Sequence, residues 1–122
     1  MNKKAIDQKP EAPYSPAVVC GGMVFVSGQV PVDPQSGKIV SEDFSEQAEQ
    51  VFANLKSVLE RSGSNLQNVV KTTAFLTSLD DFGVLNEAYK KYFPAERPAR
   101  SCVQVCALPF EAKVEVEAIA LL

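Results

Sequence analysis

The chain has 122 residues and a net charge of −3, with a sequence pI near 4.9. That length fits one domain, residues 1–122, with a core of modest size. Twelve scattered Lys and Arg argue against a nucleic-acid partner, and the absence of His removes Ser-His and Cys-His nucleophiles and His-based metal sites.

The first eleven residues are polar and show no signal-peptide apolar segment. No apolar run approaches the roughly 20 residues of a membrane span. Pro10, Pro13 and Pro16 mark an extended leading segment that carries Tyr14, which reads as a pocket cover or as a packed surface aromatic. Ala17 to Cys20, Gly21-Gly22 and Met23 to Ser27 predict a β-hairpin around a Gly-Gly turn. Ser27 and Gln29 can donate hydrogen bonds at its end, and Gly28 can let the backbone turn or approach a ligand. A plain strand-to-loop transition explains these three equally well.

Phe44, Ala48, Val51, Phe52, Leu55, Val58 and Leu59 repeat at the helical period. Asp43 is the expected N-cap, with Glu46 in a capping-box position and Gly63 as the stop. Val69 to Leu76 predicts a strand. A second helix follows from Asp80 or Asp81, with Phe82, Leu85, Tyr89, Tyr92 and Phe93 as its apolar face, ended by Pro94. Lys90 and Lys91 read as a solvated face of it. Arg100 to Ala107 and Lys113 to Leu121 predict two closing strands.

The order β-β-α-β-α-β-β predicts an α+β sandwich with both helices on one sheet face. Alternation places Cys102, Gln104 and Cys106 opposite Val103 and Val105, and the Val side is expected to meet the helices. The other face then needs a cover, and a partner subunit is the natural one. Cys102 and Cys106 would stand about 13 Å apart on a strand, too far for one metal or a disulfide. Core packing is the expected role of all three cysteines, and an odd number of thiols fits a reducing, cytoplasmic compartment.

Arg100 opens an apolar strand just after a proline-containing loop. A guanidinium there suits bidentate capture of a carboxylate, and a structural salt bridge is the competing reading. Glu115 and Glu117 share one strand face. On a solvated face they are unremarkable; in a cleft, desolvation would raise a Glu toward neutral pH and suit it to proton transfer. No phosphate-binding or metal-ligand spacing appears.

Taken in order, Pro13-Tyr14-Ser15, Val26-Ser27-Gly28-Gln29-Val30-Pro31, Val70-Lys71-Thr72-Thr73, Phe82 to Asn86 with Tyr89, Arg97-Pro98-Ala99-Arg100-Ser101 and Glu115-Val116-Glu117-Ala118-Ile119 resemble the RidA (YjgF) family. The resemblance runs from about Pro13 to Ala120. It implies a chorismate-mutase-like α+β fold and a homotrimer whose sheets form a central β-barrel, with clefts between subunits. It implies an enamine/imine deaminase that converts 2-aminoacrylate, 2-iminobutyrate and similar 2-imino acids to 2-keto acids and ammonia without a cofactor. Arg100 matches the substrate-carboxylate anchor and Glu115 the carboxylate that places water. Tyr14, Ser27, Gln29 and Asn86 match pocket positions, and Cys102 matches a residue whose backbone contacts ligand. Ala12, Pro16 and Gln104 depart from the common pattern, and Pro16 stiffens the segment that carries Tyr14. Two other functions fit the same residues: a regulatory module that binds keto or amino acids, and a translation-inhibiting ribonuclease. A chaperone-like surface activity stays open.

Overall fold

A computed structural model describes residues 2–122; Met1, the first residue of the polar leading segment, lies outside them. Six strands and two helices follow one another as β1 (Lys3–Ile6), β2 (Ala17–Cys20), β3 (Met23–Gln29), α1 (Phe44–Arg61), β4 (Val69–Leu76), α2 (Phe82–Tyr92), β5 (Ala99–Gln104) and β6 (Val114–Leu121). The sheet order is β1-β2-β3-β6-β4-β5. Only β4 and β5 pair in parallel; every other pairing is antiparallel. This is the expected α+β arrangement with one strand more than the sequence pattern gives. That strand, β1, exposes Lys3, Lys4 and Ala5 and buries only Ile6, so it carries almost no alternation to detect.

The expected hairpin forms, with Gly21 at φ 60° and Gly22 at φ 76° in the left-handed region that a tight turn needs. In α1, Asp43 caps by accepting from the Glu46 backbone N–H at 3.0 Å. Glu46 does not complete a capping box. Its carboxylate accepts from Ser41 Oγ at 2.6 Å, and that same hydroxyl takes the Asp43 N–H at 2.9 Å. The helix closes in a Schellman turn, with Ser64 N–H donating to Leu59 O at 2.9 Å and Gly63 N–H to Glu60 O at 3.1 Å.

The core lies between the sheet and the helices. Val51, Phe52, Leu55 and Leu59 of α1 and Leu85 of α2 meet Val24, Ala74, Leu76, Val114, Val116 and Ala120 of the sheet, all essentially inaccessible. Gln47, buried on α1, donates from Nε2 to Ser41 O and accepts the Lys113 N–H at 2.9 Å. This fixes the start of β6 against α1.

Three expectations need correction at β5. The strand ends at Gln104, before Val105 and Cys106. Its register pairs Arg100 with Thr72, Cys102 with Ala74 and Gln104 with Leu76. Thr72, Ala74 and Leu76 face the helices, so Arg100 and Cys102 do too, and Cys102 packs against the core. Val103 is left on the open side, 43% exposed. The parallel register with β4 overrides the hydrophobicity of β5 itself, which an edge strand with an unpartnered face allows. Cys106, beyond the strand end, is exposed rather than core.

Among the described residues no helix lies over the second sheet face. Phe25 is 44% exposed there and Leu121 48%, beside the half-buried Ile119 and Phe75.

Candidate active site

Two groups of side chains form around the two faces of the sheet. The first surrounds Arg100. Its guanidinium carbon sits 4.6 Å from the Tyr89 ring centroid and 5.2 Å from that of Phe82. Both rings belong to α2, and Phe82, Asn86 and Tyr89 are spaced four and three residues apart on one stripe of that helix. Tyr89 is buried, and its hydroxyl pairs with Thr72 Oγ1 at 2.9 Å. Burial pushes the Tyr89 phenol up, so it stays neutral beside the cation. Among the described residues the ion pairs are Arg61–Asp7, Lys90–Glu87 and Lys91–Glu49. Arg100 has no carboxylate partner, so the salt-bridge reading is not realised. Two aromatic rings pack on the guanidinium, and no carboxylate among the described residues takes its N–H donors.

Cys102 follows two residues on, on the same strand face. Burial pushes its thiol up, against the lowering effect of Arg100. A thiol held up in this way is neutral at pH 7 and is a poor nucleophile.

Phe82 was expected in the apolar core of α2, yet it is 39% exposed. Its place is over Arg100. The spacing of Phe82 and Tyr89 was visible in the sequence. Their stacking on an arginine from another element was not.

The second group lies on the open face, at the junction of β3 and β6. Tyr14, Ser27, Gly28, Val30, Pro109, Phe110, Glu115 and Glu117 line a cleft of about 410 Å³. Ser27 fastens the leading segment to β3. Its Oγ donates to Ser15 O at 2.6 Å and its N–H to Pro16 O at 3.0 Å. Pro16 therefore serves here through its carbonyl, and Tyr14 is set at the cleft mouth, 63% exposed.

Gly28 is required by the carboxylate beside it. A Cβ at that position would stand 2.0 Å from Glu115 Oε2 and 2.7 Å from its Cδ. The pairing of β3 with β6 shifts register between Val26 and Gln29, which frees the backbone at Gly28. Glu115 is half-buried against this glycine, and burial first, then the charge of Glu117, pushes its carboxyl above the usual carboxylate range. That is the cleft outcome, not the solvated-strand one. Glu117 itself is exposed.

Gln29 does not join this cleft. Its Nε2 donates to Ser27 O at 3.0 Å, and the residue lines a separate cleft of about 450 Å³ with Asn54 and Arg61, beside α1. Tyr14 and Gly28 border both. Asn86 is half-buried on α2, on the stripe that carries Phe82 and Tyr89.

The sequence singles out eight residues, which one chain does not gather into one place. Tyr14, Ser27, Gly28 and Glu115 meet in one cleft. Arg100 and Cys102 share the helix-side face of β5, Asn86 is on the α2 stripe that carries Phe82 and Tyr89, and Gln29 lines the separate cleft beside α1. Arg100 and Glu115 lie on opposite faces of the sheet, on β5 and β6, with β4 between them. One chain does not bring them together. Among the described residues no group of three or more Cys, Asp or Glu is placed to hold a metal ion.

Comparison with known proteins supplies a context for this arrangement. Residues 3–122 match the model of a family described as Endoribonuclease L-PSP. A RutC family protein of Pyrococcus abyssi is 46% identical over 112 residues, spanning 92% of this chain and 88% of that protein. The human 2-iminobutanoate/2-iminopropanoate deaminase is 43% identical over 109 residues, spanning 89% of this chain and 80% of that one. The crystal structure of a putative endoribonuclease from Thermotoga maritima superposes with a TM-score of 0.92 at 46% identity, covering 98% of this chain and 97% of the other.

Proposed function

Because the chain belongs to the family described as Endoribonuclease L-PSP, the RidA (YjgF) family, we propose that it hydrolyses 2-imino acids and their enamine tautomers to 2-keto acids and ammonia. Arg100 carries the reading: a guanidinium seated between two aromatic rings with no carboxylate of its own. Such a group is a ready anchor for the carboxylate of a small acid. The human relative's name as a 2-iminobutanoate/2-iminopropanoate deaminase supports the same chemistry.

Arg100 fixes the substrate carboxylate and so places the imine carbon. Glu115, its carboxyl held above the usual carboxylate range, orients a water and takes a proton as oxygen attacks that carbon of the N-protonated imine. The product is a carbinolamine bearing OH and NH₂ on one carbon. The same carboxyl returns its proton to nitrogen. The C–N bond then breaks, and the hydroxyl proton passes to the departing ammonia, which leaves as ammonium, as the keto C=O forms. Ser27 and Tyr14 close the cleft mouth. The side chains already present account for every proton, and no cofactor enters.

The separation of Arg100 and Glu115 makes the site a property of an assembly. A homotrimer whose open sheet faces meet in a central barrel would bring the β5 edge of one copy to the Glu115 cleft of the next. The exposed apolar residues Phe25, Val103 and Leu121 support that assembly. Residues 1–122 act in it as one unit. The free thiols suit a cytoplasmic setting, and no helix among the described residues is long and apolar enough to cross a membrane.

The test is complementation. Arg100→Ala and Glu115→Gln proteins are each expected to lose imine hydrolysis, followed as decay of imine generated by an amino-acid oxidase. Mixed one to one, unfolded and refolded together, they should regain about a quarter of wild-type activity, the share of Arg-plus-Glu seams in random trimers. No recovery would place both groups in a site within one chain. Full activity in Arg100→Ala would remove the anchor and the deaminase assignment together.

The family description favours a ribonuclease reading. The cleft opposes it: one chain lines it with two carboxylates, Glu115 and Glu117, and no Lys or Arg, and a single Arg100 from a neighbour suits one small carboxylate, not the row of phosphates of a nucleic acid.

A further inference from the structure

We propose that Phe110 sets the side-chain preference of the Glu115 cleft and directs it toward 2-imino acids with bulky apolar side chains. The inference rests on the deaminase reading of that cleft and goes on to name its substrate class.

Phe110 is a large aromatic with 61% of its surface exposed. It follows Pro109 in the loop between β5 and β6, and both Phe110 and Glu111 lie in the left-handed region, at φ 61° and 57°. That region disfavours non-glycine residues, and here two occur in succession. The loop is pinned just beyond them. Ala112 is buried and its N–H donates to Pro109 O at 3.1 Å. The next N–H, Lys113, donates to Gln47 Oε1 of α1 at 2.9 Å. The strained backbone is thus held from outside, and what it presents is the Phe110 ring.

The ring lines the same cleft as Glu115. The cleft is divided by chemistry. Glu115 and Glu117 are its carboxylates, while Pro109, Phe110, Val30 and the Tyr14 ring are its apolar lining. A 2-imino acid is divided in the same way. Its carboxylate and imine nitrogen are taken by Arg100 of a neighbouring copy and by Glu115. Its side chain is left for the apolar wall. A methyl covers little of an exposed phenyl ring, whereas an isobutyl or benzyl group removes most of it from water. About 410 Å³ accommodates such a side chain.

The experiment uses the product keto acids as probes, so that binding is read apart from turnover. Pyruvate, 4-methyl-2-oxopentanoate and phenylpyruvate are titrated into the wild-type, Phe110→Ala and Phe110→Leu proteins by calorimetry. The wild type should bind the two larger acids about tenfold more tightly than pyruvate, the scale on which an apolar pocket separates side chains. Phe110→Ala should cut that ratio by roughly five- to tenfold, and Phe110→Leu should restore part of it for 4-methyl-2-oxopentanoate. A wild-type protein that binds none of the acids, or shows no size preference, overturns the proposal. So does a ratio that is the same in all three proteins. Imine decay is followed in parallel on the wild type. Preserved, Phe110-dependent size selection without acceleration would sink the deaminase reading and leave the role of Phe110 standing; acceleration with a Phe110-independent ratio would do the reverse.

Discussion

The two faces of this sheet carry the same kinds of residue and do different work with them. On the helix side every strand but β5 contributes a buried apolar side chain, and α1 fills the space above them with Phe52, Leu55 and Leu59 at or near zero exposure. On the open side Phe25, Val103 and Leu121 stand partly in water, and a desolvated carboxylate sits among them. One face is finished by the chain's own helices, and the other is left open. The two principal candidate groups are divided the same way, Arg100 to the first face and Glu115 to the second. Activity should therefore respond to changes on either face, and the stability of the subunit mainly to changes on one.

The sharpest contrast comes from paired truncations. Leu55→Ala, at full burial between α1 and the sheet, should cost about 2–5 kcal/mol through lost contacts and a residual cavity. Phe25→Ser, on the open face, should cost the isolated subunit far less, within about 1 kcal/mol, and should instead weaken assembly. Urea titration read by far-UV circular dichroism, alongside sedimentation at several protein concentrations, separates the two. Equal losses of subunit stability would break the comparison.

The next largest effect tests the glycine seat of Glu115. A methyl at position 28 would fall 2.0 Å from Oε2, so the carboxylate must move. Gly28→Ala should lower kcat/KM for imine hydrolysis by about 10²-fold, the lower end of what a positioned acid–base group supplies. Thermal melting should show the fold intact. A variant with near wild-type kinetics would mean that Glu115 needs no fixed place.

How much of this was legible in the chain follows the strength of each local signal. Both helices and the Gly-Gly hairpin were legible because seven apolar positions in α1 and two left-handed glycines repeat patterns with one interpretation. Ser27, Gly28, Glu115 and Tyr14 were legible as candidates and do converge. The orientation of β5 was not, because an edge strand takes its facing from the neighbour it pairs with, and Val103 looked like core. β1 was not, because a strand that buries one residue in four shows no alternation. Gln29 was read with the pocket residues and lines the neighbouring cleft beside α1. Phe82 and Tyr89 were read as helix core, although the same spacing also makes the seat for Arg100. No pattern within one segment encodes a contact between α2 and β5.

That seat supplies a smaller test. Phe82 is partly exposed and packs on the guanidinium at 5.2 Å. Phe82→Ala should raise KM about two- to fivefold by loosening Arg100, in line with roughly 0.5–1 kcal/mol for an accessible cation–π contact. Stability should hardly change, because the ring covers little core. Phe82→Tyr should keep the wild-type KM. A large loss of stability in Phe82→Ala would return Phe82 to a packing role and weaken the contrast between the two groups.

The smallest effect concerns the cost of the finished site to the fold that carries it. Glu115 has its carboxyl raised, by burial first and by Glu117 second. The folded chain therefore holds that proton more tightly than the unfolded chain does. Its contribution to stability is fully present below the unfolded value and is lost as pH rises through the folded one. At pH 7 the native protein carries a partly desolvated carboxylate that unfolding would return to water. Glu115→Gln removes that charge. It should raise Tm at pH 7 by on the order of 1 °C, small because the group is only half-buried and solvent screens it. The gain should vanish near pH 4, where both proteins present a neutral side chain. The same protonation should shut down hydrolysis in the wild type, with the acid limb of kcat/KM above the ordinary glutamate range. A Tm gap that persists unchanged at pH 4 would trace the gain to packing, and Glu115 would then be an ordinary residue of the open face.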